Sequence, residues 1–84
     1  MQPVTIYTTP FCGFCHAAKR ILTSKDVTFT EIDVSRDPEL KQEMMTKSGR
    51  HTVPQIWVGE THVGGFDELN ALERAGKLDP LLSV

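Results

Sequence analysis

The feature that most constrains this chain is Cys12-Gly13-Phe14-Cys15, set where a strand-like run hands over to a helix-like one. Val4-Thr5-Ile6-Tyr7 before it is apolar and rich in β-branched residues. Ala17-Ala18-Lys19-Arg20-Ile21-Leu22 after it consists of good helix formers with apolar residues at helical spacing. Both sulfurs therefore fall in or near the first helical turn. The first N–H groups of a helix lack intrahelical partners and sit at the positive end of its macrodipole. A negative sulfur is stabilised there, and the thiolate is the reactive form of cysteine. The rest of the chain reads as a platform and groove around Cys12.

Composition narrows the classes that such a motif can serve. The chain has 84 residues, enough for one small domain spanning 1–84, and a net charge of −2. No basic footprint suggests a nucleic-acid or membrane partner, and no apolar run reaches membrane-spanning length. Met1-Gln2-Pro3 shows no basic region followed by an apolar core, so we expect a cytoplasmic protein. Two cysteines three positions apart are not a secreted disulfide framework, and beside βαβ elements they read as redox chemistry. As half a zinc site they would need further ligands from His16, His51 and His62, which nothing in the sequence brings together.

In order, the chain predicts a strand over Pro3–Tyr7 that is central in its sheet. A helix follows over Gly13–Lys25, burying Cys15, Ala18, Ile21 and Leu22. A strand is expected over Val27–Val34. A second helix is expected over Pro38–Ser48, capped by Asp37, opened by Pro38 and stopped by Gly49. Leu40 and Met44 share one of its faces. Val53–Val58 reads as a strand opening with a proline, and Gly59-Glu60 as a hairpin turn into Thr61–Val63. Gly64-Gly65 breaks that strand. Asp67 is expected to cap a helix carrying Leu69, Leu72 and Ala75, and Asp79–Leu82 to add one last helical turn. The order βαβαββα, with a right-handed crossover between the first two strands, gives an α/β domain with a four-stranded mixed sheet flanked by helices. Trp57 is assigned to sheet packing, and His16 and His62 to the surface. Met44 and Met45 are read as helix packing or exposure.

Three motifs together, Cys12-Gly13-Phe14-Cys15, Thr52-Val53-Pro54 and Gly64-Gly65-Phe66-Asp67, make the chain resemble a glutaredoxin over nearly its whole length. The resemblance implies the thioredoxin fold and glutathione-dependent reduction of disulfide-containing or glutathionylated proteins. Cys12 would be the exposed nucleophile and Cys15, one turn in, the shielded resolving thiol. Glutathione would lie along Phe14, Thr52, Val53, Pro54, Gly65, Phe66 and Asp67, with Asp67 at its free amino end near a helix N-terminus. The residues alone read Pro54 as trans, because cis X–Pro bonds are only about 5–6% of those in folded proteins. The resemblance implies a cis bond.

Two positions depart from the pattern. Many glutaredoxins carry a lysine three residues before the first cysteine, and this chain has Thr9, so Lys47 or Arg50 is expected to supply the missing charge. Gly13-Phe14 also resembles monothiol relatives, in which the first cysteine ligates a [2Fe–2S] cluster between two subunits with two glutathiones. On that alternative Cys12 is a cluster ligand and the chain a dimeric carrier, whereas the oxidoreductase is expected to be a monomer. A third reading, a thioredoxin-like reductant served by a reductase protein, is opposed by Gly64-Gly65-Phe66-Asp67, which looks built for glutathione's charged end.

Overall fold

The computed structural model describes residues 2–83. The elements run β1 (Val4–Thr8), α1 (Gly13–Ser24), β2 (Phe29–Asp33), α2 (Pro38–Ser48), β3 (Gln55–Val58), β4 (Thr61–Gly64), α3 (Phe66–Arg74) and α4 (Leu78–Ser83). The four strands form one sheet in the order β2-β1-β3-β4. β1 pairs parallel with β2 and antiparallel with β3, and β3 pairs antiparallel with β4. The expected mixed sheet, with β1 in its interior, is what forms.

Alternation along β1 divides the core in two. Val4 and Ile6 face α1, α3 and α4, packing with Ala18, Leu22, Ile56, Val58, Leu69, Leu78 and Leu82. Tyr7 faces the other way, with Val34 and with Met44 of α2. Met44 is fully buried, which resolves the open reading of that residue as packing.

α2 begins and ends as its sequence dictates. Asp37 accepts the backbone N–H groups of Glu39 and Leu40, Pro38 opens the first turn, and Gly49 closes it in the left-handed region at φ 70°.

Elsewhere the boundaries move. α1 stops at Ser24, with Lys25 as its C-cap. β2 covers only Phe29–Asp33, because β1 offers five residues to pair with. Val27 and Val34 lie outside the strand, although both are buried. β3 starts at Gln55 rather than Val53, since the Val53–Pro54 bond is cis and precedes the ladder. β4 runs on to Gly64. Asp67 is not the cap of α3: the N-cap is Gly65, and Asp67 sits within the first turn. The final turn is a six-residue helix, α4.

Candidate active site

Cys12 is the N-cap residue of α1, extended at φ −106° and ψ 111°. Its Sγ accepts the backbone N–H of Cys15 at 3.1 Å, in the place a serine or aspartate oxygen usually fills. On its other side the thiol reaches the carbonyl of Val53 at 3.7 Å. Cys12 is partly exposed and Cys15 is 0% exposed. Burial, and then the hydrogen bond with Cys12, push the Cys15 thiol up to about 12, against smaller opposing effects from the Thr9 backbone and Lys19. One sulfur is thus presented at a helix terminus and the other is held protonated beneath it.

The Val53 carbonyl leads into a groove of about 290 Å³. Phe14, Thr52, Val53, Pro54, Gly65, Phe66 and Asp67, all singled out from the sequence, line it together with Arg50 and Glu68. One wall is the segment between α2 and β3, and the other is the β4–α3 junction. Phe14 stacks on Phe66 with centroids 5.7 Å apart. The walls are close at Gly65, where a Cβ would stand 3.3 Å from the Pro54 carbonyl oxygen and the backbone would have to give by a few tenths of an ångström. The Asp67 carboxylate takes no hydrogen bond or ion pair from any described residue.

Of the two cations expected from sequence, only Arg50 reaches this groove. Its guanidinium donates to Glu68 Oε1 at 2.7 Å, and the same oxygen accepts the Gly65 N–H at 2.7 Å. Glu68 therefore joins the two walls and satisfies the N–H of the N-cap residue, the half of a capping box that a glycine N-cap still allows. The Gly65 N–H and then Arg50 hold its carboxyl below the usual carboxylate range. Lys47 lies elsewhere, beside Tyr7 and Trp57, with its Nζ 3.9 Å from Glu43.

Sequence reasoning missed Glu68, Gln55 and His62. A glutamate three residues after an N-cap is a legible signal for Glu68. His62 is not a free surface group: its ring packs on Trp57 at 4.6 Å and its Nε2 meets Gln55 Oε1 at 2.8 Å. His16 is exposed as expected, with Nε2 3.0 Å from the Pro10 carbonyl.

A paired thiol at a helix N-terminus, a cis-proline opposite it and a β2-β1-β3-β4 sheet define a thiol–disulfide redox protein of the thioredoxin fold. Within that class the chain belongs to the glutaredoxin family, whose model matches residues 4–63. It is 60% identical to a glutaredoxin of Pseudomonas aeruginosa over 84 residues, covering 100% of both chains. Among solved structures it is similar to glutaredoxin from Brucella melitensis, at 55% identity and TM-score 0.87, over 98% of this chain and 89% of that one. A buckwheat glutaredoxin solved with glutathione superposes with TM-score 0.89 at 25% identity, over 98% and 77% of the two chains.

Proposed function

We propose that this chain is a glutathione-dependent thiol–disulfide oxidoreductase acting on glutathionylated proteins and on protein disulfides. The observation that carries the reading is the position of Cys12 Sγ. It sits between the Cys15 N–H and the Val53 carbonyl, at the mouth of a groove with Arg50 and Asp67 as charged walls.

On a glutathione mixed disulfide, the Cys12 thiolate attacks the glutathione sulfur. The S–S bond breaks and the target leaves as a thiolate that takes a proton from water. The Cys15 N–H and the N-terminus of α1 steady the attacking charge before the step. A second glutathione thiolate then attacks the glutathione sulfur held on Cys12, releasing oxidised glutathione and restoring the thiolate. On a protein disulfide, Cys12 forms a mixed disulfide with the protein. Cys15 gives up its proton and attacks Cys12 Sγ. The Cys12–protein S–S bond breaks, and the protein sulfur leaves as a thiolate that takes up a proton. Two glutathiones then reduce the Cys12–Cys15 bond and depart as one oxidised glutathione. Burial of Cys15 keeps it from competing for the first attack.

In this reading the glutathione peptide lies against Thr52, Val53 and Pro54, over the stacked Phe14 and Phe66, with Gly65 leaving room between the walls. Its ammonium meets the Asp67 carboxylate, which no described residue pairs. A carboxylate meets Arg50, which stands in for the lysine absent at Thr9. The dithiol has to be returned to its reduced form between turnovers, so we place the activity in the reducing cytoplasm. The test is turnover of a glutathionylated peptide with glutathione, glutathione reductase and NADPH, which Cys12→Ser abolishes.

The [2Fe–2S] alternative asks one chain for a single accessible thiolate, which Cys12 could supply beside the groove, whereas Cys15 is sealed in the core. The other ligands would come from a second copy and from glutathione. Anaerobic reconstitution with iron, sulfide and glutathione tests it: a colourless monomer removes the cluster reading, and a coloured dimer that bleaches on losing glutathione supports it.

A further inference from the structure

We propose that Gln55 and His62 are positioning residues that set the shape of the groove, with the His62 ring fixing Gln55 and Gln55 holding Thr52. The inference deepens the glutathione reading and rests on it for its effect on turnover.

Gln55 is a polar side chain at 0% exposure, directly after the cis-proline. Its Nε2 donates to the Thr52 carbonyl at 3.0 Å and stands 3.4 Å from Thr52 Oγ1. A carbonyl only accepts, so the amide nitrogen has to face Thr52 and Oε1 has to face His62. His62 Nε2 therefore carries a hydrogen and donates it across 2.8 Å. The amide orientation and the histidine tautomer follow from one fixed acceptor.

The ring that makes this donation is itself clamped. His62 packs against Trp57, and Trp57 meets Tyr7 edge-on at 5.3 Å. The Tyr7 hydroxyl then donates to Glu43 of α2 at 3.1 Å. A row of contacts thus runs from α2 across the sheet to Thr52. Thr52 and Val53 belong to no strand, and among the described residues no other side chain hydrogen-bonds Thr52. The groove wall next to Cys12 has its geometry set from the opposite end of this row. A buried leucine would fill the space of Gln55 as well, but it could not direct a carbonyl.

His62→Phe keeps a ring on Trp57 and removes the N–H. The expected result is a KM for glutathione raised about threefold to tenfold, the worth of one hydrogen bond, with kcat at saturating glutathione held within about twofold. His62→Gln restores an N–H donor and recovers the wild-type KM. An unchanged KM in His62→Phe, or a His62→Gln as impaired as His62→Phe, overturns the proposal.

A second readout needs no ligand. The backbone amide resonances of Thr52 and Val53 are expected to move in His62→Phe and to return in His62→Gln, and unmoved resonances overturn the proposal equally. A wild type that fails to turn over with glutathione sinks the glutathione reading instead, and the positioning row then stands or falls on these resonances. Should His62→Phe not fold, the Gln55 side-chain amide of the wild type is followed during glutathione titration. A shift supports the row, and a static signal contradicts it.

Discussion

Cys12 Sγ accepts the backbone N–H of Cys15 at 3.1 Å, so the partly exposed sulfur caps the helix and, in the proposed function, is also the group that attacks. The two cysteines are linked through backbone as well as through chemistry. The residue that lies in the core supplies the donor that steadies the residue outside it.

This division of labour predicts selective alkylation. Cys15 is pushed up to about 12 from 9.0, which lowers its thiolate fraction near neutral pH about a thousandfold, and it is also shielded. Iodoacetamide at pH 7.5 is expected to modify Cys12 in the reduced protein and leave Cys15 untouched by mass spectrometry. In Cys12→Ser, labelling of Cys15 should stay negligible until strongly alkaline pH. Rapid labelling of Cys15 near neutrality would contradict its assigned place.

Arg50, not Lys47, carries the groove's positive charge. Arg50→Ala is expected to raise the KM for glutathione about threefold to tenfold, less than a fully buried charge-assisted hydrogen bond would give, because the guanidinium is about half exposed and screened by solvent. Lys47→Ala should leave it unchanged. Steady-state kinetics at low ionic strength make the comparison, and equal effects of the two variants would count against the groove assignment.

Gly64 sits at φ 117°, and a Cβ there would run into the Glu68 carboxylate. Gly64→Ala should therefore cost about 1–2 kcal/mol and lower Tm by about 5–15 °C. Displacing Glu68 frees both the Gly65 N–H and Arg50, so the KM for glutathione should rise as well. Calorimetry and kinetics on one preparation read both effects.

His62 gives the fold a dependence on pH. Burial, and then the Arg50 charge, hold its imidazole below the usual histidine value, with Glu68 opposing. The unfolded chain thus takes up a proton more readily than the folded one, and stability is fully present above the unfolded value of about 6.5. It falls as pH drops from there toward the folded value. The wild-type Tm should decline between pH 7 and pH 5, and the decline should be shallower in His62→Phe. Parallel curves would show that His62 contributes nothing to it.

The chemistry was legible in the sequence because it is local. Three-residue spacing at a strand-to-helix handover puts one sulfur at the terminus and one a turn inward, whatever the rest of the chain does. Asp37-Pro38 and Gly49 marked α2 for the same reason, each acting within a turn.

What escaped depends on register and packing. The Gly59-Glu60 turn alone sets His62 opposite Trp57. The contact of its ring nitrogen with Gln55, past the point where the pairing slips between Ile56 and Trp57, depends on tertiary packing with no local signature. The burial of Gln55 is likewise set by the α2 side of the sheet, not by its own neighbours in sequence. Aspartate is a common N-cap, which makes Asp67 the expected cap of α3 from sequence alone. Here Glu68 reaches back to the Gly65 N–H, which leaves the Asp67 carboxylate without a partner among the described residues, on the lining of the groove.

The most direct test of the account is to incubate Cys15→Ser and Cys12→Ser separately with a glutathionylated peptide, trap with acid, and follow with turnover under glutathione, glutathione reductase and NADPH. The account predicts a glutathione adduct on Cys12 in Cys15→Ser, with deglutathionylation retained, and neither adduct nor turnover in Cys12→Ser. Turnover that survives in Cys12→Ser, or an adduct found on Cys15, would contradict it.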